Sequence, residues 1–200
     1  GDGFGWGCFT GFGNECLLRL DSKILESLAE NDRKTANDFL EEIKEAVIST
    51  AEKILEKSES NIFAYPLEKV FWGSNGAVMD AAHCLSMAYD LTGGEKYFHC
   101  FQRQLSYILG VNPLDFCFVS GFGSNQMKNP HHRPSGFIKK AMPGMLSGGP
   151  GTGLNDAVAK EKLRGVAPLK CYIDHQDSYS TNEIAIYWNS PLTLALSRML

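Results

Sequence analysis

No run of apolar residues in this sequence approaches the ~20 needed to cross a bilayer as a helix, so a membrane span is not expected. Basic charge is not in excess: 19 Lys and Arg face 23 Asp and Glu, and the net charge of −4 gives nucleic acid no electrostatic hold. None of the six cysteines (Cys8, Cys16, Cys84, Cys100, Cys117, Cys171) forms a CxxC pair, which argues against a zinc ribbon. Their density does not demand disulfides, and buried or free thiols are the expected state. Two glycine-rich pieces, "GWGCFTGFG" and "SGGPGTG", lack the strand before and helix after that a nucleotide loop needs, and both read as turns. The opening "GDGFGWGCFTGFG" also lacks a basic n-region and a continuous apolar core, so no signal peptide is expected there. No repeat of fixed period is evident.

What is present is a folded, soluble composition, 44% hydrophobic and 21% charged, with enough chain for one sizeable core, either a domain or part of a larger one. Residues 33–57 form an amphipathic helical pattern, with Phe39, Leu40, Ile43, Val47, Ala51, Ile54 and Leu55 on one stripe. Asn75 can cap a second helix that ends at Gly93. A third, "EKYFHCFQRQLSYILG", stops at Gly110, with Pro113 beyond it. Another helix is expected between residues 7 and about 29, and a last one in "NEIAIYWNSPLTLALSRML", bent by Pro191 or carrying it near the first turn. Helix pairs recurring at this spacing suit an all-α toroid or helical array.

Between Gly110 and Tyr179 almost nothing is periodic, and six of the eight prolines lie there. A segment that long in a compact protein is functional or disordered. The apolar residues spread through it (Phe116, Phe118, Val119, Phe122, Phe137, Met142, Met145) favour order. It holds "NPHHRPS", where His131, His132 and Arg133 stand between prolines that limit their freedom; Arg offers a planar fork of donors, and His donates to or stacks on a polar ligand. A plain surface loop accounts for the same residues, and two adjacent histidines without a third ligand at a recognisable spacing make a poor metal site.

The stretch "CYIDHQDSYSTNE" gathers Asp174, Asp177, Glu183, His175, Tyr172 and Tyr179. Glu183 stands where a loop becomes apolar, beside Ile184 and Ile186. Apolar surroundings favour the protonated carboxyl that a general acid needs, whereas a helix N-terminus pulls the other way. Ser180 or Thr181 with Glu183 also resembles a capping box. The pattern alone leaves capping and catalysis open. An aromatic set (Trp6, Phe71, Trp72, Tyr172, Tyr179, Tyr187, Trp188) is core where it is buried and a stacking surface for sugar rings where it flanks the loops.

Taken together, "YILGVNPLDFCFVSGFGSNQMKNPHHRPS" and "CYIDHQDSYSTNEIAIYWNSP" resemble the C-terminal half of a glycoside hydrolase family 9 catalytic domain, the cellulase family. Ser120, Gly123, Asn125 and Pro130-His131-His132-Arg133 match its histidine signature, with Cys117 where Ser, Thr or Val is usual. Tyr172, Asp174, Tyr179, Glu183, Ala185, Asn189 and Ser190 match its acidic signature. The resemblance covers residues 60–200 well and the first 60 loosely. It implies an all-α fold, the C-terminal part of an (α/α)6 barrel, with helices mainly in 7–110 and 180–200 and active-site loops in 111–179.

It also implies inverting hydrolysis of β-1,4-glucan. Glu183 would be the general acid and Asp174 the supporting signature acid. His131, Arg133 and Tyr179 would contact sugar, and Trp188 would line the site where many relatives have Tyr. Inversion needs a second carboxylate, roughly 6.5–9.5 Å from the acid, to activate water. The family's base lies in a "DAGD"-like motif near the start of its domain, and none is present here; Asp80 and Asp90 both sit in helical patterns. The chain therefore reads as the acid and one wall of the sugar site, inactive in isolation. No cofactor is evident, and the resemblance leaves room for calcium in the full-length enzyme, whose relatives are secreted. Expected partners are a β-glucan and either the missing N-terminal half of the barrel or a second copy covering the exposed helix face. An exo-acting cellobiohydrolase or glucosaminidase of the same family, and a non-catalytic carbohydrate-binding remnant, are the alternatives.

Overall fold

The computed structural model describes residues 10–199. Cys8, Trp6 and the start of the expected first helix lie outside them. The described chain is helical, with loops joined only by isolated bridges. The amphipathic stripe becomes α3, Glu30–Glu59, longer at both ends than its pattern. Ile43, Val47, Ala51 and Leu55 are buried along it, whereas Phe39 at the edge of the stripe is exposed. Upstream, the one expected helix is two short ones, α1 (Thr10–Leu18) and α2 (Ser22–Glu26), the second capped by the Asp21 side chain. The piece read as a glycine turn therefore enters α1 from Thr10 onward. Packing overrides propensity there, because Phe12 stacks on the ring of His83 at 6.1 Å.

The centre is α4, Ser74–Thr92, buried around most of its circumference, with α3, α5 (Glu95–Leu109) and α9 (Ile186–Ser197) against it. A helix apolar on every side belongs inside a bundle. It closes at Gly93, φ +67, and Gly93–Gly94 turn it into α5 as an αα-hairpin. Its start corrects the sequence reading: the cap is Gly73, φ +91, and not Asn75. Asn75 lies within the helix, where its amide donates to the Ser147 carbonyl at 3.1 Å and ties α4 to the loop above it.

Glu15 joins three elements at the other side of α4. It accepts from His83 at 2.8 Å, Arg19 at 2.9 Å and Arg198 at 2.9 Å. Chiefly through the His83 bond, its carboxyl is held down at about 2. Asp90 pairs with Arg198 in the same network.

The aperiodic stretch is ordered. It contains two short helices, α6 (Arg133–Ile138) and α7 (Ala157–Lys162), and a 3-10 turn at Pro168–Lys170. Phe118, Val119, Met127 and Leu146 are buried in it, while Phe122, Phe137 and Met142 face solvent. Then α8 (Tyr179–Asn182) leads to α9, in which Pro191 sits past the first turn. No helix among the described residues is long and apolar enough to cross a membrane. Cys16, Cys84, Cys100, Cys117 and Cys171 are free thiols, all buried except Cys16.

Candidate active site

The site forms where the α8–α9 junction meets the loop before α4 and the "NPHHRPS" loop. Glu183 follows α8 in extended conformation, φ −68 and ψ 149. Its carbonyl accepts from Gly148 N at 2.9 Å, and the neighbouring Asn182 carbonyl accepts from His131 N at 2.8 Å. Backbone on both sides thus fixes where the Glu183 side chain starts. The carboxyl does not cap a helix: Ser180 and Thr181 lie inside α8, and α9 begins after Ala185 without a side-chain cap. Instead Oε2 accepts from Trp72 Nε1 at 3.1 Å. The apolar enclosure expected around Glu183 is only partial, since Ile186 is 89% exposed.

Trp72 immediately precedes the left-handed Gly73. Its ring lies 5.3 Å from that of Tyr179, which meets the His131 ring edge-on at 5.9 Å. The Tyr179 hydroxyl donates to the Asn155 carbonyl at 2.7 Å. His131 Nδ1 lies 2.6 Å from the Gln176 carbonyl, which can only accept, so Nδ1 carries a hydrogen and Nε2 is the nitrogen left for another partner. Arg133 opens α6 and is exposed. Beside Trp72 a cavity of about 600 Å³ opens, walled by Phe71, Trp72, Lys69, Glu68, Thr152 and Asn155.

Asp174 is a clamp. Oδ1 accepts from Asn129 N at 2.8 Å and Asn182 Nδ2 at 3.0 Å; Oδ2 accepts from Lys128 N at 2.9 Å and Asn129 Nδ2 at 3.1 Å. Four donors on one carboxylate join the histidine loop to the acid segment. Tyr172 serves the same scaffold, donating to Asn182 Oδ1 at 2.6 Å, and Asn189 clasps Leu146 through its backbone N–H and carbonyl.

Trp188 is not where the sequence reading puts it. It is buried, and β-carbons added at Gly73, Gly76 and Gly148 would meet its ring at 2.7, 2.4 and 2.9 Å. Three glycines open a slot for the indole beneath the start of α4. Trp188 is therefore a core side chain, and the aromatic face at the site belongs to Trp72. "SGGPGTG" is glycine-rich for close packing as well: a β-carbon at Gly149 would meet Asn75 at 2.3 Å.

Of three further contributors, Asp156 escaped the sequence reading, and Trp72 and Tyr187 were named there only within the aromatic set. Trp72 carried no signal beyond its place in the aromatic set. Tyr187 packs edge-on against Trp188 at 5.2 Å; burial, and then the negative charge of Glu183, push its phenol up. Asp156 caps α7 and holds α8 through Ser178 and Ser180. Burial raises the Asp156 carboxyl, but the bonds from Ser180, Ala159 and Ser178 outweigh it and leave the group below its usual range. Among the described residues no three His, Cys, Asp or Glu are grouped to hold a metal ion.

A carboxyl, two aromatic rings and an imidazole thus follow one another in contact, Glu183 to Trp72 to Tyr179 to His131. The sequence profile of glycosyl hydrolase family 9 matches residues 4–196. A cellodextrinase from Butyrivibrio fibrisolvens is 37% identical over 98% of this chain, and a cellulose 1,4-beta-cellobiosidase from Acetivibrio thermocellus is 34% identical over 93%. Those alignments cover 34% and 22% of the two relatives, so the chain spans about a third of the one and less of the other. A thermostable endoglucanase structure from Alicyclobacillus acidocaldarius superposes with a TM-score of 0.84 at 32% identity, over 98% of this chain and 36% of that one. AaCel9A in complex with a cellobiose-like isofagomine gives 0.85 at 32% identity, with the same coverage. The chain thus has part of the (α/α)6 barrel of these enzymes, and it belongs to glycosyl hydrolase family 9.

Proposed function

We propose that this chain supplies the general acid and one wall of the sugar site for inverting hydrolysis of β-1,4-glucan. The observation that carries the reading is the placement of Glu183: its carboxyl engages the indole of Trp72, a residue that walls the cavity, instead of a helix terminus. In this reaction the Glu183 proton passes to the glycosidic oxygen as the bond from that oxygen to the anomeric carbon breaks. Water adds to the opposite face and loses its proton to a base. His131 and Arg133 supply polar contacts to the sugar near that bond, and the Trp72 and Tyr179 rings supply its apolar floor.

The base comes from outside these residues. Asp174 is engaged by four donors, and Asp80 lies in the middle of α4, so neither is placed to activate water across from Glu183. The remainder of the barrel is the partner that completes the site. Apolar side chains left outward on α2 and α9, such as Ile24 at 49% and Leu196 at 44% exposed, form the face it covers. Calcium, where the complete enzyme binds it, is held by residues of that remainder.

The test is hydrolysis of cello-oligosaccharides by the chain alone and with the upstream segment supplied. Activity only in the second case, lowered roughly 10²- to 10⁴-fold by Glu183→Gln, is the expected result. Full rate from the chain alone would refute the external base. No rate in either case would leave a carbohydrate-binding remnant, and release of one product size from chain ends would mark an exo-acting enzyme.

A further inference from the structure

The general acid must do more than sit near the glycosidic oxygen. A carboxyl has two oxygens and a free rotation about its last bond, so a donor that fixes one oxygen decides where the other points. Here the fixing donor comes from a residue 111 positions away in the chain: Trp72 Nε1 donates to Glu183 Oε2 at 3.1 Å. An indole N–H can only donate, so the oxygen it holds is an acceptor in either protonation state. When Glu183 is protonated, this bond favours the hydrogen on Oε1, because the carbonyl oxygen of a carboxyl group is a better acceptor than its hydroxyl.

The indole is itself held. Its backbone leads into Gly73, whose φ of +91 starts α4, and the buried Trp188 ring fills the space beside that glycine. Its ring leans on Tyr179, whose hydroxyl is anchored on Asn155. On the other side, backbone bonds from Gly148 and His131 fix the Glu183 segment. Donor and acceptor are thus both tied to the framework around the start of α4 and the end of α8, which limits how far either can move from the other.

We propose that Trp72 is a positioning residue for Glu183: its indole N–H holds Oε2 and thereby fixes the direction in which Oε1 presents its proton. This rests on the reading of Glu183 as the acid, but the bond can be tested without it. In the chain as it stands, the indole N–H resonance of Trp72 should move with pH in a step that Glu183→Gln removes. A resonance indifferent to that substitution would overturn the proposal.

The second measurement is kinetic, on the chain with its upstream segment supplied. Trp72→Phe keeps an aromatic face and loses the donor. We expect kcat on cello-oligosaccharides to fall roughly 10- to 100-fold, the equivalent of one charge-assisted bond, with KM within about twofold. With dinitrophenyl glycosides, whose leaving group departs without protonation, the loss should shrink to a fewfold. Equal losses on both substrates, or a change confined to KM, would mean that Trp72 only binds sugar and would overturn the positioning role. If Glu183→Gln leaves the rate intact, the acid assignment fails, while the pH step of the indole resonance still decides the bond.

Discussion

Replacing Asp174 by Asn tests whether this signature acid is a structural clamp or a reacting group. The carboxylate accepts four hydrogen bonds, two on each oxygen. Asn keeps one oxygen and turns an NH2 toward the other two donors, so two charge-assisted bonds are lost and two donors face a third. Each such bond contributes about 1.5–3 kcal/mol when water is excluded. Asp174 is only half-buried, and water takes back part of the loss, leaving about 2–4 kcal/mol. With a urea slope of about 2 kcal/mol/M, the unfolding midpoint should drop by about 1–2 M. The loss should also be local: the amides of Lys128 and Asn129, which donate to the carboxylate, should exchange with deuterium at least roughly tenfold faster, as their closed state is weakened. A variant with unchanged midpoint and unchanged exchange at these two amides would refute the clamp. If it also lost all hydrolysis in the completed enzyme, Asp174 would be a chemical participant.

Three further outcomes follow from the packing. Burial raises the Asp80 carboxyl from 3.8 to about 7, so the folded chain keeps a proton that the unfolded chain releases, and stability falls as pH rises from about 4 to about 7. Asp80→Asn should therefore stabilise the chain at pH 8 by up to about 4 kcal/mol and give no gain below pH 4, measured by thermal melts across that range. Gly76→Ala, in the first turn of α4, would in open space stabilise by up to roughly 0.5–1 kcal/mol. Here the added methyl meets Trp188 at 2.4 Å, and a net loss of about 1–3 kcal/mol is expected from chemical denaturation. Trp188→Tyr should cost stability through the cavity left in the glycine slot, with little change in sugar affinity by calorimetry, because the buried indole offers the ligand no face.

The helices were legible because their apolar spacing is local information. The α3 stripe and the glycine stops at Gly93 and Gly110 lie in consecutive residues, and the structure keeps all three. The cap of α4 was misread because Asn75 meets the local rule for a cap, but a loop more than 70 residues away takes its side chain. The glycine-rich start of α1 was misread for the same reason, its helix depending on contact with α4. At the site, the spacing of the two signatures located His131, Asp174, Tyr179 and Glu183, and the structure gathers them around one junction. It could not show which contacts each of them makes.

The sequence by itself determined the all-helical class, the order of the segments and the family to which they belong, because residue types at fixed spacing carry those. Only the tertiary structure decided what each signature residue touches. Asp174 became a clamp and Trp188 a core side chain, while Trp72 became the partner of Glu183, since each role depends on contacts between segments far apart in the chain. A hydrogen bond spanning 111 residues, and a glycine slot built from two separate segments, leave no local pattern to read.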